Sequence, residues 1–274
     1  MNWEYIVQCL NLTLGILLII RLFRIKLNKT YRLFYIFLIA DLSGSALWIL
    51  ARTFGLLSVD FYLLSWLVIR PLVWLFMLLV VYSLLEKILI QLPGLLRLSK
   101  RVLYVTFFLA LVIGLVSARY EYSAPGFIAV RGTQFVNQCW ITELVLNRVI
   151  YSTALLSLIA ILSFLLWFPV SIPRNLVAFA VGFTAYFASM TALLLTRSLW
   201  PSETIQIQAE VLKIINFLIG SVSSICFAFW IFVLSPTGEV VPSTIAVQRE
   251  PQEQERLIAQ LELINDTLLK AARR

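Results

Sequence analysis

The chain has 274 residues, of which 61% are hydrophobic and 13% charged, with a formal net charge of +8 and a mean hydropathy of +0.93. A soluble domain averages roughly 45–50% apolar and about 25% charged residues, so the composition excludes an ordinary soluble globular protein and predicts a membrane one. Histidine is absent altogether, which removes the commonest zinc ligand, the usual haem ligand and the base of a serine hydrolase, so no metal or other cofactor is expected.

A helix needs about 20 mostly apolar residues to cross a bilayer. Seven such runs lie at 5–23, 33–51, 61–85, 102–118, 145–168, 176–196 and 211–234. The predicted fold class is therefore all-α: a bundle of seven transmembrane helices over residues 1–235, a linker over 236–249, and an amphipathic or short coiled-coil helix over 250–274. The first run has no basic segment before it and no small-residue cleavage site after it, so it reads as a retained helix and not as a signal peptide. Arg21, Arg24, Lys26, Lys29 and Arg32 follow the first run, and Lys87, Arg97, Lys100 and Arg101 follow the third. Such clusters mark cytoplasmic loops, which places the N-terminus outside and the C-terminus inside a multi-pass protein of the inner (plasma) membrane. The same placement accounts for the positive charge with the lipid bilayer as partner and no nucleic acid. Cys9, Cys139 and Cys226 are far apart, without the spacing of a metal site or a disulfide framework.

Two charges lie deep in these runs. In "YIFLIADLSGSALWILAR", Asp41 is eleven residues from Arg52, about 16 Å at the helical rise; in "SWLVIRPLVW", Arg70 is ten residues from Asp60, about 15 Å. The second and third helices are consecutive and antiparallel, so matched depths predict a buried Asp41–Arg70 ion pair, since charges inside a membrane face the bundle and find partners. Whether that pair is a switch or a static clamp stays open. Pro71 removes one helical hydrogen bond and predicts a bend or hinge. Trp66 and Trp74, one turn to either side of Arg70, share its face and could cover the cation.

The connection over 119–144 is the longest between helices and rich enough in apolar residues to form an outer cap. Beyond it, Asn147, Arg148 and Tyr151 on the fifth run, Tyr186 on the sixth, and Glu210, Lys213 and Asn216 on the seventh gather in the outer half. With Arg70, Trp66 and Trp74 they are candidates to line an outward-facing cavity for a small-molecule ligand. For Glu210 and Lys213, a local pair at helical spacing is the competing reading. After the linker, Leu257, Leu261, Ile264 and Leu268 recur in alternating steps of four and three and form one stripe. That stripe predicts either docking on the bundle itself or on lipid, or contact with a cytoplasmic protein or a second copy through 250–274.

Enzymatic activity is not expected. An intramembrane aspartyl protease needs two deep aspartates, and only Asp41 is deep. A retinal pigment needs a lysine near the middle of the seventh helix, whereas Lys213 is near its start. Glycine-rich phosphate loops are absent. The topology resembles that of G-protein-coupled receptors and bacterial seven-helix sensor modules, but their sequence motifs are missing. At the level of short patterns, "YRLFYIFL", "WLVIRPLVW", "WFPVSIPRN" and "QLELINDTLLKAARR" resemble an uncharacterised group of bacterial seven-helix integral membrane proteins. That resemblance implies a topology and carries no ligand, activity or residue role. The functional expectation is a sensor or scaffold with an outward polar cavity and a cytoplasmic docking helix. The alternative is a small-solute transporter or channel using Asp41 and Arg70.

Overall fold

A computed structural model describes residues 3–54, 59–90, 92–123, 134–167, 172–199, 205–239 and 251–271. The chain forms α1 (Trp3–Arg24), a single turn α2 (Leu27–Thr30), α3 (Arg32–Phe54), α4 (Val59–Ile88), α5 (Pro93–Ser123), α6 (Gln134–Trp167), α7 (Arg174–Leu199), α8 (Ile205–Val233), a 3-10 turn η1 (Pro236–Glu239) and α9 (Pro251–Ala271). No strand occurs among the described residues. The protein is all-α, and five of its helices hold stretches long and apolar enough to cross a membrane: Tyr5–Arg24, Leu67–Ile88, Thr142–Ser163, Arg174–Thr196 and Lys213–Val233. These are the first, third, fifth, sixth and seventh runs. The second and fourth runs are helical as well, as α3 and α5.

Two boundaries move far from their sequence-based positions. α5 starts at Pro93, well before residue 102, because a proline at the first helical position gives up only an N–H that had no partner there anyway. α6 starts at Gln134, and α5 runs on to Ser123. Most of the connection expected over 119–144 is therefore helix, and what is left of the expected cap, residues 124–133, lies outside the described residues.

The helices pack in a ring. α1 lies between α3 and α8, α3 against α4, α4 against α6, α6 against α7, and α7 against α8. α5 stands outside this ring, against α6, and α9 packs on α5. Close approach of α1 and α8 depends on Gly220, where a Cβ would come 2.5 Å from Cγ1 of Val7. Ser224, one turn on, keeps the seam narrow and returns its hydroxyl to the Gly220 carbonyl at 3.0 Å. Small residues spaced by four allow this kind of contact where lipid offers no hydrophobic drive for association.

Inside the ring, aromatic rings from three helices interlock. Phe34 of α3, Phe179 and Phe183 of α7 and Trp230 of α8 are fully buried, with ring centroids 4.7–5.5 Å apart for Phe183–Trp230, Phe34–Trp230 and Phe34–Phe183. The outward faces are apolar too: Val68, Phe108, Ile225 and Phe232 are all largely exposed. Helices that are hydrophobic on every side suit a lipid surround.

Candidate functional site

The end of the ring away from Arg24 and Arg32 holds a polar network around Arg70. α4 contributes Arg70 and, one turn later, Trp74; α6 contributes Glu143, Asn147 and Tyr151 at successive turns of one face; α7 contributes Tyr186; α3 contributes Asp41. The Arg70 Nε lies 3.4 Å from Glu143 Oε1, an ion pair longer than an aligned hydrogen bond. Asn147 donates from Nδ2 to the same Glu143 oxygen at 3.1 Å and accepts at Oδ1 from the Trp74 indole N–H at 2.7 Å. One amide thus links the indole to the carboxylate, and Glu143, Asn147 and Trp74 are all buried. The Tyr151 and Tyr186 rings stand nearly perpendicular, 6.0 Å apart, and both phenols feel the charges of Arg70 and Asp41.

Among the described residues, Glu143 is the carboxylate in close contact with Arg70, and Asp41 acts on the guanidinium from further away. No close Asp41–Arg70 contact is among the described ones, although the two charges act on each other; α4 has a neighbour on each side, and α6 places Glu143 against the guanidinium. Sequence reading assigned Glu143 to a loop because the apolar run begins only at 145. The signal that could have found it is the Glu143, Asn147, Tyr151 spacing of four, which puts all three on one helical face.

The other expected site residues divide. Trp74, Asn147, Tyr151 and Tyr186 join the network. Arg148 is half-buried, with its carbonyl accepting from the Ser152 hydroxyl at 2.8 Å. Lys213 and Asn216 are exposed on α8, which packs on α1 and α7 and not on α4, so the structure does not bring Asn216 to Arg70. The side chains of Trp66 and Glu210 lie outside the described residues. Pro71 sits within α4, exposed, and the helix continues through it.

At the opposite end a second knot, missed in the sequence, ties α1, α2, α4, α7 and η1 together. Asn175 of α7, wholly buried, donates from Nδ2 to the Ser235 carbonyl and to Glu239 Oε1, both at 2.7 Å, and accepts from the Ser235 N–H at 3.2 Å. Glu239 also faces Tyr31, whose phenol is pushed well above its ordinary range by burial and by that carboxylate. Lys87 lies 4.0 Å over the Tyr31 ring and donates to the Thr30 carbonyl, and Arg21 donates to the Leu234 carbonyl at 2.9 Å. The last contact sets a cation at the carbonyl end of α8, where the helix dipole favours it. Among the described residues no group of three His, Cys, Asp or Glu side chains is placed to hold a metal.

The tail helix docks on its own bundle. Leu261 is 8% exposed and belongs to the core, and Asn265 accepts the Gly94 N–H at 2.7 Å. Since Pro93 has no N–H, this caps the first amide of α5. Ile264, expected on the contact stripe, is instead 43% exposed, as is Leu263 at 68%. The docked face runs through 261 and 265, one step round the helix from the predicted stripe, because a polar cap and an apolar contact are satisfied together there. The side chains of Leu257 and Leu268 lie outside the described residues. Asn265→Ala is expected to cost about 1 kcal/mol, the typical worth of a lost helix cap, and to speed amide exchange at Gly94. Hydrogen exchange on the full chain in detergent measures both the protection and its loss.

These features define a class: an all-helical protein with membrane-crossing helices arranged around a buried polar network, and a tail helix docked on an outlying helix. Comparison with family models, with curated proteins and with solved structures finds no match.

Proposed function

We propose that this is a seven-helix multi-pass protein of the inner (plasma) membrane, with the N-terminus outside and the C-terminus cytoplasmic, that acts as a sensor or scaffold and not as an enzyme. Crossings by α3 and α5 complete the seven. Support for the orientation comes from Arg21, Arg24, Lys26, Lys29, Arg32, Lys87 and Arg97, which fall at one end of the bundle, the end rich in positive charge expected on the cytoplasmic side. A small-molecule ligand would engage the Arg70 network between α3, α4, α6 and α7.

The observation that carries the reading is the Trp74–Asn147–Glu143–Arg70 chain of contacts. It couples α4 to α6 with charged and polar groups in a place where a purely structural seam would be apolar, and intramembrane charge favours function. α6 also packs on α5, whose first turn is capped by the tail. A change in the Arg70 network therefore has a continuous physical route along α6 and α5 to α9, with Pro71 as the hinge that lets α4 adjust. A ligand would act by preferring one arrangement of that seam over another.

The coupling is testable without knowing the ligand. Glu143→Gln keeps the acceptor for Asn147 but removes the charge opposite Arg70, and should change amide protection in α9 and at the start of α5 in the full-length protein. Equal protection in native and variant chains counts against a sensor. The transporter reading gains if proteoliposomes with an entrapped pH-sensitive dye then show proton flux that Asp41→Asn abolishes.

A further inference from the structure

The elbow between α1 and α3, Arg24 to Arg32, reads "RIKLNKTYR" and contains no acidic residue. Its backbone is fixed. Leu27 and Tyr31 are buried and anchor the single turn α2, whose ends are closed by Lys26 N–H to Phe23 O at 3.1 Å and Tyr31 N–H to Leu27 O at 2.8 Å. Lys26 holds a left-handed conformation, φ 58 and ψ 16, which L-residues other than Asn and Asp rarely adopt. A glycine would sit there without strain, and a lysine in its place leaves a cation at the apex of the turn. Strain of this sort concentrates at functional positions.

The anchoring of Leu27 and Tyr31 leaves Arg24, Lys26, Lys29 and Arg32 exposed together, and no described carboxylate pairs with any of them. Three other cations at this end are committed elsewhere, while Arg97, Arg101 and Arg174 are exposed outside the elbow. Lys87 is bound to the Thr30 carbonyl and Tyr31 ring, Arg21 to the Leu234 carbonyl, and Lys100 to Glu86 at 2.8 Å. Directly below the elbow, Ile16, Leu17, Ile20 and Phe23 are exposed and follow the helical repeat along α1 to the turn that carries Arg24. Four uncommitted cations in a rigid frame above an apolar strip match a molecule with an anionic head and a hydrocarbon tail.

We propose that the α1–α3 elbow is a binding site for an anionic phospholipid, whose phosphate group is held by Arg24, Lys26, Lys29 and Arg32 and whose acyl chain lies along Ile16, Leu17, Ile20 and Phe23. The inference rests on membrane insertion and not on the sensor role. Basic residues at a membrane surface attract acidic lipid with an energy that adds residue by residue and is screened by salt. This site differs from a diffuse basic loop because its geometry is set by buried anchors.

The test compares spin-labelled phosphatidylglycerol with spin-labelled phosphatidylcholine, each at trace level in phosphatidylcholine bilayers holding the full-length protein. The fraction of each label restricted by the protein is read at low salt. The native chain should prefer the anionic label by roughly an order of magnitude. Lys26→Gln with Lys29→Gln should cut the preference to roughly threefold, whereas Arg97→Gln with Arg101→Gln, the same loss of charge on α5, should leave most of it. Lys26→Gly removes one cation while relieving the left-handed strain, so it folds at least as well and should still lose roughly twofold, one cation's share of a tenfold preference spread over four. Equal binding of both labels by the native chain, or a preference undiminished by the elbow changes, overturns the proposal. Loss of the preference to inorganic phosphate, against chloride at matched ionic strength, would make this a soluble-anion site and also overturn it. No restricted lipid of either kind would refute membrane insertion itself.

Discussion

Glu143→Leu is expected to destabilise the protein by about 3 kcal/mol, because it removes the carboxylate 3.4 Å from the Arg70 guanidinium and the acceptor of the Asn147 amide. Removing one partner of a buried pair typically costs about 3–5 kcal/mol, more than replacing both with apolar groups of similar size. The Glu143→Leu, Arg70→Met double variant should therefore be more stable than Glu143→Leu alone. Unfolding of the full chain in mixed micelles, titrated with a denaturing detergent, gives the four corners of the cycle. Strict additivity would mean that the 3.4 Å contact carries no coupling. A parallel cycle with Asp41→Asn should show weaker coupling to Arg70, since Asp41 acts from further away.

Trp230→Ala should cost a similar amount, about 3–5 kcal/mol, for an unrelated reason. Trp230 is 1% exposed and meets Phe34, Phe183, Phe179 and Phe227, so its removal opens a cavity where α3, α7 and α8 converge. Its indole nitrogen has no described acceptor and rests on Gly182, where a Cβ would come 2.5 Å from Nε1. Trp230→Phe, which keeps a ring and drops a buried donor, is therefore expected to cost less than about 1.5 kcal/mol. The same micelle titration separates the two. A phenylalanine variant as damaged as the alanine one would show that the indole nitrogen has a partner that matters.

The sequence exposed some parts of this site and hid others. Arg70 was visible because a permanent charge inside a 22-residue apolar stretch has few explanations. Glu143 was hidden because it stands at the very edge of the apolar stretch Thr142–Ser163, where hydropathy cannot tell the first turn of a membrane helix from the end of a loop. Asn175 was equally hidden, being an ordinary residue in a basic, proline-containing stretch. It is the return of η1 onto α7, sixty residues later in the chain, that surrounds it with partners.

The tail shows the limit of periodicity. Leu261 was on the predicted stripe and is buried, but Ile264 was on it too and is exposed. A stripe about 100° wide names a face only to within one step, and the Gly94 amide, which needed an acceptor from a neighbouring helix, selected the step that brings Asn265 into reach.

By itself the sequence determined that the chain is helical and built for lipid, where its apolar runs fall, at which end positive charge collects, and that its last segment is amphipathic. Each of these follows from composition and local spacing, which act on a segment regardless of its neighbours. The tertiary structure alone decided that six helices close a ring while α5 stays outside it, that Glu143 touches Arg70, and that α9 closes the first turn of α5. Helices that are apolar all round present no unique face, so neighbours are chosen by small residues, aromatic shape and the few polar groups that need one another. Those requirements are met only when the helices are in contact.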